Sequence, residues 1–225
     1  MSSRDNHLWL QLWREQHLDF HELVANRFLT RFWPGIDHLQ GSRVFVPLCG
    51  KSTDMIWLAE QGHEVVGVEL SPIAVKAFFK ENKLQPVKRR VGSFTQWRHN
   101  HISILCGDYF ALDKTILGHV DTVYDRAALT ALPEDVRKLY VAHLQRLMPA
   151  TSDVFLLTIE DTEDDALSEQ LPQVDEEIKA LYAAAFDIRL SHAERVFETN
   201  PEAQDQPPRQ AEYKVYRLCG RKAVA

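Results

Sequence analysis

Charged and polar residues stand directly after several short apolar segments of the chain, a position where functional side chains are common. One segment runs into Gly50-Lys51-Ser52, another ends at Glu69, and a third ends at Arg126. The Gly-Lys-Ser tripeptide resembles the end of a phosphate-binding P-loop, G-x-x-x-x-G-K-[ST]. An acid about 20 residues after a glycine turn binds ribose hydroxyls in nucleotide-binding α/β folds. The pattern therefore indicates a ligand that contains a nucleoside, with or without phosphates.

The rest of the turn argues against phosphates. The first glycine of a P-loop would stand at Phe45, and Pro47 and Leu48 replace the small residues that wrap phosphates. The G-x-G-x-x-G pattern of dinucleotide-binding folds is also absent, so Gly50 alone allows a close backbone approach. A P-loop kinase or NTPase stays an alternative function of a different class, and its test is binding of ATP with magnesium.

Three residues near predicted strand ends could hold an adenosine. Glu69 lies 19 residues after Gly50, where a ribose-binding acid is expected. Asp108 follows the apolar segment at 102–106 and could accept a hydrogen bond from an adenine amine, although a turn aspartate is an equally good interpretation. Tyr109 could place its backbone N–H or its ring beside the base. S-Adenosylmethionine is such a ligand without phosphates, and its methionine tail would cross the turn at Gly50.

The order of the predicted elements brings these residues together. Apolar and amphipathic segments alternate, which predicts βαβ units and an α/β fold with a doubly wound, mostly parallel sheet. The last two strands, 186–197 and 212–220, follow each other without a helix, so we expect a hairpin and one antiparallel strand near a sheet edge. Ligands of such sheets bind at the carboxyl ends of the strands, where Glu69, Asp108 and Arg126 are expected.

Residues 1–225 are expected to form one domain, with residues 1–40 as a helical lid over the strand ends. Trp9 and Trp13 belong to an apolar pattern with spacings of three and four, which is one face of a helix. Two roles stay open for these tryptophans: they could pack in the core, or they could exclude water from a bound ligand. A second helix is expected at 21–33, ended by the Pro-Gly that follows.

Composition disfavours several other classes. The chain has 45% apolar and 26% charged residues, as in a soluble globular enzyme, and its net charge of −6 disfavours a nucleic-acid binder. The basic cluster Lys88-Arg89-Arg90 is predicted to be a solvated turn. The three cysteines are far apart and form no C-x-x-C pair, so we expect no metal site.

The same features predict the location and assembly of the protein. The cysteine usage fits a reducing compartment. The amino terminus lacks the apolar stretch of a secretory signal, and no apolar run approaches the ~20 residues of a membrane span. We therefore expect a cytoplasmic protein without membrane association. A monomer is expected as well, because no strong apolar stripe is left over for a partner.

Several segments together resemble the thiopurine S-methyltransferases, in particular the bacterial ones. They are "FVPLCGKS", "GHEVVGVELS", "YDRAALTALP" and the paired amino-terminal tryptophans, and the resemblance runs from Trp9 to about Leu218. It implies the Rossmann-like class I methyltransferase fold, a seven-stranded sheet with a late antiparallel strand. It also implies transfer of the methyl group of S-adenosylmethionine to an aromatic or heterocyclic thiol such as a thiopurine, which leaves S-adenosylhomocysteine. Bacterial members are also linked to methylation of selenium and tellurium compounds.

The resemblance further implies roles for single residues. Positions that match cofactor-binding residues of the family are Trp9, Trp13, Leu48, Glu69 and Arg126, and positions that match its adenine pocket are Asp108 and Tyr109. Phe20 matches an aromatic residue on the substrate side. The family can carry a second arginine after a late "FEE"-like segment, where this chain reads Phe197-Glu198-Thr199-Asn200. Arg195 or Arg209 could take its place.

Arg126 is the candidate catalytic residue. Methyl transfer from a sulfonium is an in-line displacement that an acidic thiol can undergo as the thiolate, so proximity and orientation would do most of the work. A positive group near the acceptor favours the thiolate form. A plain ion pair of Arg126 with Asp125 is the structural alternative. Among other functions, a class I methyltransferase with a different acceptor and a non-catalytic adenosine-binding module stay open.

Overall fold

A computed structural model describes residues 3–15, 24–35, 41–161, 174–198 and 209–220. In these ranges nine strands form one sheet. The strands are β1 (Arg43–Val46), β2 (Glu64–Glu69), β3 (Val87–Val91), β4 (Phe94–His99), β5 (Ile102–Cys106), β6 (Thr122–Arg126), β7 (Asp153–Asp161), β8 (Phe186–Glu198) and β9 (Arg209–Gly220). The α-helices are α1 (Ser3–Glu15), α2 (Arg27–Phe32), α3 (Asp54–Glu60), α4 (Pro72–Glu81), α5 (Lys114–Leu117), α6 (Glu134–Leu147) and α7 (Glu176–Tyr182). Short 3-10 turns cover Trp33–Gly35 and Tyr109–Ala111.

The sheet contains the predicted arrangement and extends it. In space the strands run β3-β4-β5-β2-β1-β6-β7-β9-β8. Strands β5, β2, β1, β6 and β7 are mutually parallel, and β9 pairs antiparallel with both β7 and β8. The late hairpin and its antiparallel strand are therefore confirmed. The prediction of seven strands is wrong, because β3 and β4 add a hairpin beside β5 and β4 runs antiparallel to it.

The added hairpin includes the basic cluster that the sequence predicted to be a turn. Lys88, Arg89 and Arg90 are exposed residues of the edge strand β3, and the turn to β4 lies at Gly92, with φ 57°. The ammonium of Lys88 lies 3.5 Å from the ring centroid of Trp97 on β4. An exposed edge strand carries no apolar alternation, so its sequence gives little signal for a strand, and lysine on such an edge discourages pairing with another sheet.

Two helix predictions had different outcomes. The second helix was expected from residue 21, but α2 begins at Arg27 because the Asn26 side chain accepts a hydrogen bond from the Phe28 N–H at 2.9 Å and caps it. Phe20 lies outside the described residues. The helix after β2 begins as expected, with Ser71 as its N-cap and Pro72 as its first residue.

Helices cover both faces of the sheet. On one face Phe28 of α2, Met55 of α3 and Phe78 of α4 belong to one buried cluster with alternate residues of the strands. On the other face α6 and α7 join a second cluster through Tyr140 and Tyr182. This is the doubly wound arrangement that strand–helix alternation predicts. None of the described helices is long and apolar enough to cross a membrane.

Gly67, in the middle of β2, lets the turn after β1 pack closely on the sheet. A Cβ at this position would lie 2.6 Å from Cys49 Sγ and 3.1 Å from Met55 Sδ. The Cys49 N–H also donates to the Val68 carbonyl at 3.0 Å. The missing side chain therefore fixes where the turn, and Gly50 after it, stands relative to the end of β2.

Gly67→Ala is expected to destabilise the protein by about 1–3 kcal/mol, because the new methyl group overpacks this contact. Cys49→Ala removes the sulfur atom nearest to that methyl, so the double variant should cost less than the sum of the single variants. Urea unfolding measures all three. Gly35→Ala is the matched control, since a Cβ there meets its nearest atom at 3.7 Å. Strictly additive costs at Gly67 and Cys49 would contradict this packing account.

Candidate functional site

The end of β2 is joined to two neighbouring turns by one carboxylate. Glu69 Oε2 accepts a hydrogen bond from the Gly50 N–H at 2.9 Å, and its Oε1 accepts one from the Ser71 N–H at 2.7 Å. The side chain is only 6% exposed. Glu69 therefore holds the glycine turn after β1 and the start of α4 on the same side of the sheet edge.

The ionisation of Glu69 is opposed by its surroundings. Burial raises the pKa of Glu69 to about 7, and the hydrogen bonds from Ser71 and Gly50 only partly offset this. Because the folded-state pKa lies above the unfolded value, the protonated carboxyl stabilises the fold at low pH, and this contribution is lost as pH rises through about 7. Each carboxylate oxygen also has a second lone pair. Two hydroxyl donors, such as those of a ribose, fit this group.

The turn after β1 has a geometry suited to a ligand without phosphates. Leu48 adopts a left-handed φ of 47°, unusual for a residue with a side chain, and Gly50 follows with φ 54°. Lys51 Nζ is paired with Glu81 at 2.9 Å, and Ser52 Oγ accepts a hydrogen bond from Arg126 Nη2 at 2.9 Å. The two side chains that would bind phosphate in a P-loop are thus engaged elsewhere.

Asp108 and Tyr109, after β5, take different orientations. Asp108 Oδ1 accepts a hydrogen bond from the Phe110 N–H at 3.0 Å, and Oδ2 accepts one from Asn6 Nδ2 at 3.1 Å. The Tyr109 ring is buried in the core, and its hydroxyl donates to the Tyr140 carbonyl at 3.1 Å. The Tyr109 ring is thus engaged in the core, and its place beside a base, through the ring or the backbone N–H, stays a prediction.

Helix α1 reaches the same edge. Its Asn6 touches Asp108, 102 residues later in the chain. Trp13 is buried and Trp9 half-buried, while Leu8 on the predicted apolar face is 55% exposed. Helix α1 thus lies at the exit of β5, while residues 24–35 of the predicted lid pack on one face of the sheet through Phe28.

Arg126, at the end of β6, pairs with a residue that the sequence analysis did not select. Its Nε donates to Asp54 Oδ2 at 2.6 Å. The predicted alternative of an ion pair with Asp125 is wrong, because Asp125 is fully buried and accepts from the Tyr140 hydroxyl at 2.7 Å. Burial raises the pKa of Asp125 to about 6.

Asp54 connects Arg126 to the amino-terminal segment. Its Oδ1 accepts the Asn26 N–H at 2.7 Å, and its Oδ2 also accepts the Tyr124 hydroxyl at 3.0 Å. The side chain is 1% exposed. An acidic residue at the first position of a helix is common, because its charge interacts favourably with the helix dipole. This position alone therefore does not indicate that Asp54 also pairs with Arg126. The one available signal was an acid directly ahead of the apolar residues of α3.

Of three further predicted residues, the structure describes the side chain of one, Arg195. Arg195 lies on β8 and its Nε donates to Glu212 Oε1 on β9 at 3.2 Å. A substrate role for Arg195 stays a prediction. The side chains of Arg209 and Phe20 lie outside the described part of the chain.

Residues 4–222 match the thiopurine S-methyltransferase (TPMT) family. The chain belongs to this family. A thiopurine S-methyltransferase of Stutzerimonas stutzeri is 60% identical over all of this chain and 95% of its own length. One of Nitrosospira multiformis is 42% identical over 96% of this chain and 98% of its own. The activity of the protein is therefore methyl transfer from S-adenosylmethionine.

Solved structures agree with the fold. An S-adenosylmethionine-dependent methyltransferase of Anabaena variabilis superposes with a TM-score of 0.60 at 17% identity, over 95% of both chains. TehB of Haemophilus influenzae also gives 0.60, at 10% identity, over 89% of this chain and 64% of that one. At these identities the likeness shows the class I methyltransferase fold alone.

The pairing of Asp54 with Arg126 is expected to dominate local stability. Asp54→Ala removes the buried carboxylate that pairs with the part-buried guanidinium of Arg126 and should cost about 3–5 kcal/mol. Arg126→Ala in addition should recover part of that cost in a double-mutant cycle, because the uncompensated charge is gone. Lys51→Ala is the control, since its pair with Glu81 is partly exposed and should contribute less than about 1 kcal/mol. Equal losses for Asp54→Ala and Lys51→Ala in denaturant unfolding would contradict the assignment.

Proposed function

We propose that the protein methylates the sulfur of aromatic or heterocyclic thiols, thiopurines among them, with S-adenosylmethionine as donor. The observation that carries this proposal is the buried Glu69 carboxylate beside the turn at Gly50. Lys51 and Ser52 of the glycine turn are bonded to Glu81 and Arg126, so the turn does not offer them to a phosphate. The Glu69 carboxylate next to the turn can accept further hydrogen bonds, which suits the hydroxyls of a ribose. The acceptor class comes from the relatives, which are thiopurine S-methyltransferases.

The residues of the strand edge divide the binding work. Glu69 would bind the ribose hydroxyls, the turn of Leu48 and Gly50 would support the methionine tail, and Asp108 with the backbone N–H of Tyr109 would bind the adenine. Trp13 and Trp9 of α1 would shield this ligand from water. When bound, S-adenosylmethionine supplies a methyl group that is electrophilic because it is attached to a sulfonium.

Arg126 has the position of a residue that orients an anionic acceptor. Its guanidinium is fixed by Asp54 and Ser52 at the end of β6, next to the turn that holds the donor. A fixed cation there favours the thiolate over the thiol of an acidic acceptor. The protein then acts mainly by holding sulfur and methyl group in line, which avoids the entropic cost of a bimolecular encounter. Phe20 and a second arginine, Arg195 or Arg209, would belong to the acceptor side.

The organisation of the chain completes the proposal. Residues 1–225 would act as one domain with residues 1–40 as its lid, and the protein would work as a monomer on a small-molecule thiol. All three cysteines are free, which suits a reducing compartment such as the cytoplasm.

The direct test is transfer of a labelled methyl group from S-adenosylmethionine to thiophenol or 6-mercaptopurine, with phenol as the oxygen analogue. We expect methyl thioether products and no methylation of phenol. Glu69→Ala should weaken binding of S-adenosylhomocysteine about ten-fold or more, through loss of a charged hydrogen-bond partner worth about 1.5–3 kcal/mol. Glu64→Ala, at the opposite end of β2, is the matched control. Binding without methylation of any thiol would instead identify an adenosine-binding module.

A further inference from the structure

Asn6 on α1 makes a contact that packing alone does not explain. Its side-chain nitrogen Nδ2 donates to Asp108 Oδ2 at 3.1 Å, across the gap between α1 and the exit of β5. A carboxylate only accepts hydrogen bonds, so the atom that faces Asp108 must be the amide nitrogen. The orientation of the amide is therefore fixed by chemistry, and its oxygen points away from Asp108.

That oxygen, Asn6 Oδ1, is buried and has no hydrogen-bond partner among the described residues. Buried polar atoms are nearly always hydrogen-bonded, because the loss of water is otherwise uncompensated. An amide that already donates to a carboxylate and still has a buried free acceptor is suited to a ligand that brings a donor. The neighbouring Asp108 Oδ2 also keeps a second lone pair.

The two acceptors belong to side chains that are joined by one hydrogen bond, at the edge where the adenine is expected. We propose, on the basis of the proposed function, that Asn6 and Asp108 together bind the exocyclic amine of the adenine. That amine has two N–H donors, one for Asp108 Oδ2 and one for Asn6 Oδ1. One group of the ligand would then bond to the lid helix and to the sheet edge at once.

This arrangement makes the lid a specificity element. A purine with a carbonyl oxygen in place of the amine brings an acceptor to a site that has two acceptors, and it cannot satisfy either of them. Rotation of the Asn6 amide does not relieve this, because its oxygen would then face the Asp108 carboxylate. The site should therefore discriminate between adenosine and inosine ligands more strongly than Asp108 alone allows.

The test is calorimetric titration with S-adenosylhomocysteine and with S-inosylhomocysteine, which carries the carbonyl. The wild type should prefer the adenosine ligand. In Asn6→Ala that preference should fall roughly three- to ten-fold, the effect of one hydrogen bond, with most of the change in the adenosine ligand. Gln11→Ala is the matched control, because the exposed side-chain amide of Gln11 on α1 donates to Glu15 Oε1 at 2.8 Å. It should leave the preference unchanged.

The other outcomes separate the possibilities. If Asn6→Ala weakens both ligands equally, or changes neither, Asn6 is only a contact that seats the lid and the inference is wrong. If the wild type binds neither ligand, the proposed function fails, and the inference fails with it.

Discussion

The hydrogen bonds of the buried Glu69 hold together the turns at the carboxyl ends of three neighbouring strands, β1, β2 and β5. Its two oxygens accept the N–H groups of Gly50 and Ser71, and its backbone carbonyl accepts the N–H of Gly107 at 2.9 Å. One residue thus bonds to the turns that follow β1, β2 and β5. The backbone hydrogen bonds of Ser71, Gly50 and Leu70 do not fully offset the desolvation of the carboxylate, which is why its pKa rises to about 7. Hydroxyl donors of a ligand would supply the hydrogen bonds that the Glu69 carboxylate still lacks.

A second charged centre stands on the other side of the same turn. Arg126 is bonded to Asp54 and to Ser52, two residues after Gly50, so the turn lies between the carboxylate of Glu69 and this ion pair. Asp54 also accepts the backbone N–H of Asn26, the N-cap of α2. The turn at Gly50, Arg126 and the start of α2 are therefore connected through the buried Asp54. Residues in left-handed conformation, Leu48 and Ala127, follow β1 and β6 at this edge, where functional sites often store strain.

The sequence predicted the features that come from alternation and spacing. Strand–helix alternation places Glu69, Asp108 and Arg126 at the carboxyl ends of parallel strands, and the structure has all three there. The partner of Arg126 could not be predicted in this way, because Asp54 is 72 residues earlier and only the tertiary fold brings them together. The Tyr109 ring lies in the core because it contacts Tyr140 of α6, 31 residues later in the chain. The residues around Tyr109 do not predict this contact.

The added strands were missed for a different reason. Prediction of strands from sequence relies on a buried face, and β3 is exposed along most of its length. Asn6 was missed because a single amide in a helix carries no pattern. Its significance rests on one contact over a long sequence distance and on one buried oxygen without a partner.

The central claim is that Glu69 binds the ribose hydroxyls as a carboxylate, although burial raises its pKa to about 7 in the free protein. The most direct test is the number of protons released when S-adenosylhomocysteine binds, measured from calorimetric enthalpies in buffers of different ionisation enthalpy. Because burial raises the pKa of free Glu69 to about 7, the wild type should release a fraction of a proton at pH 7, and Glu69→Gln should lack this contribution. Equal proton release by the wild type and Glu69→Gln, or uptake by the wild type, would contradict the account.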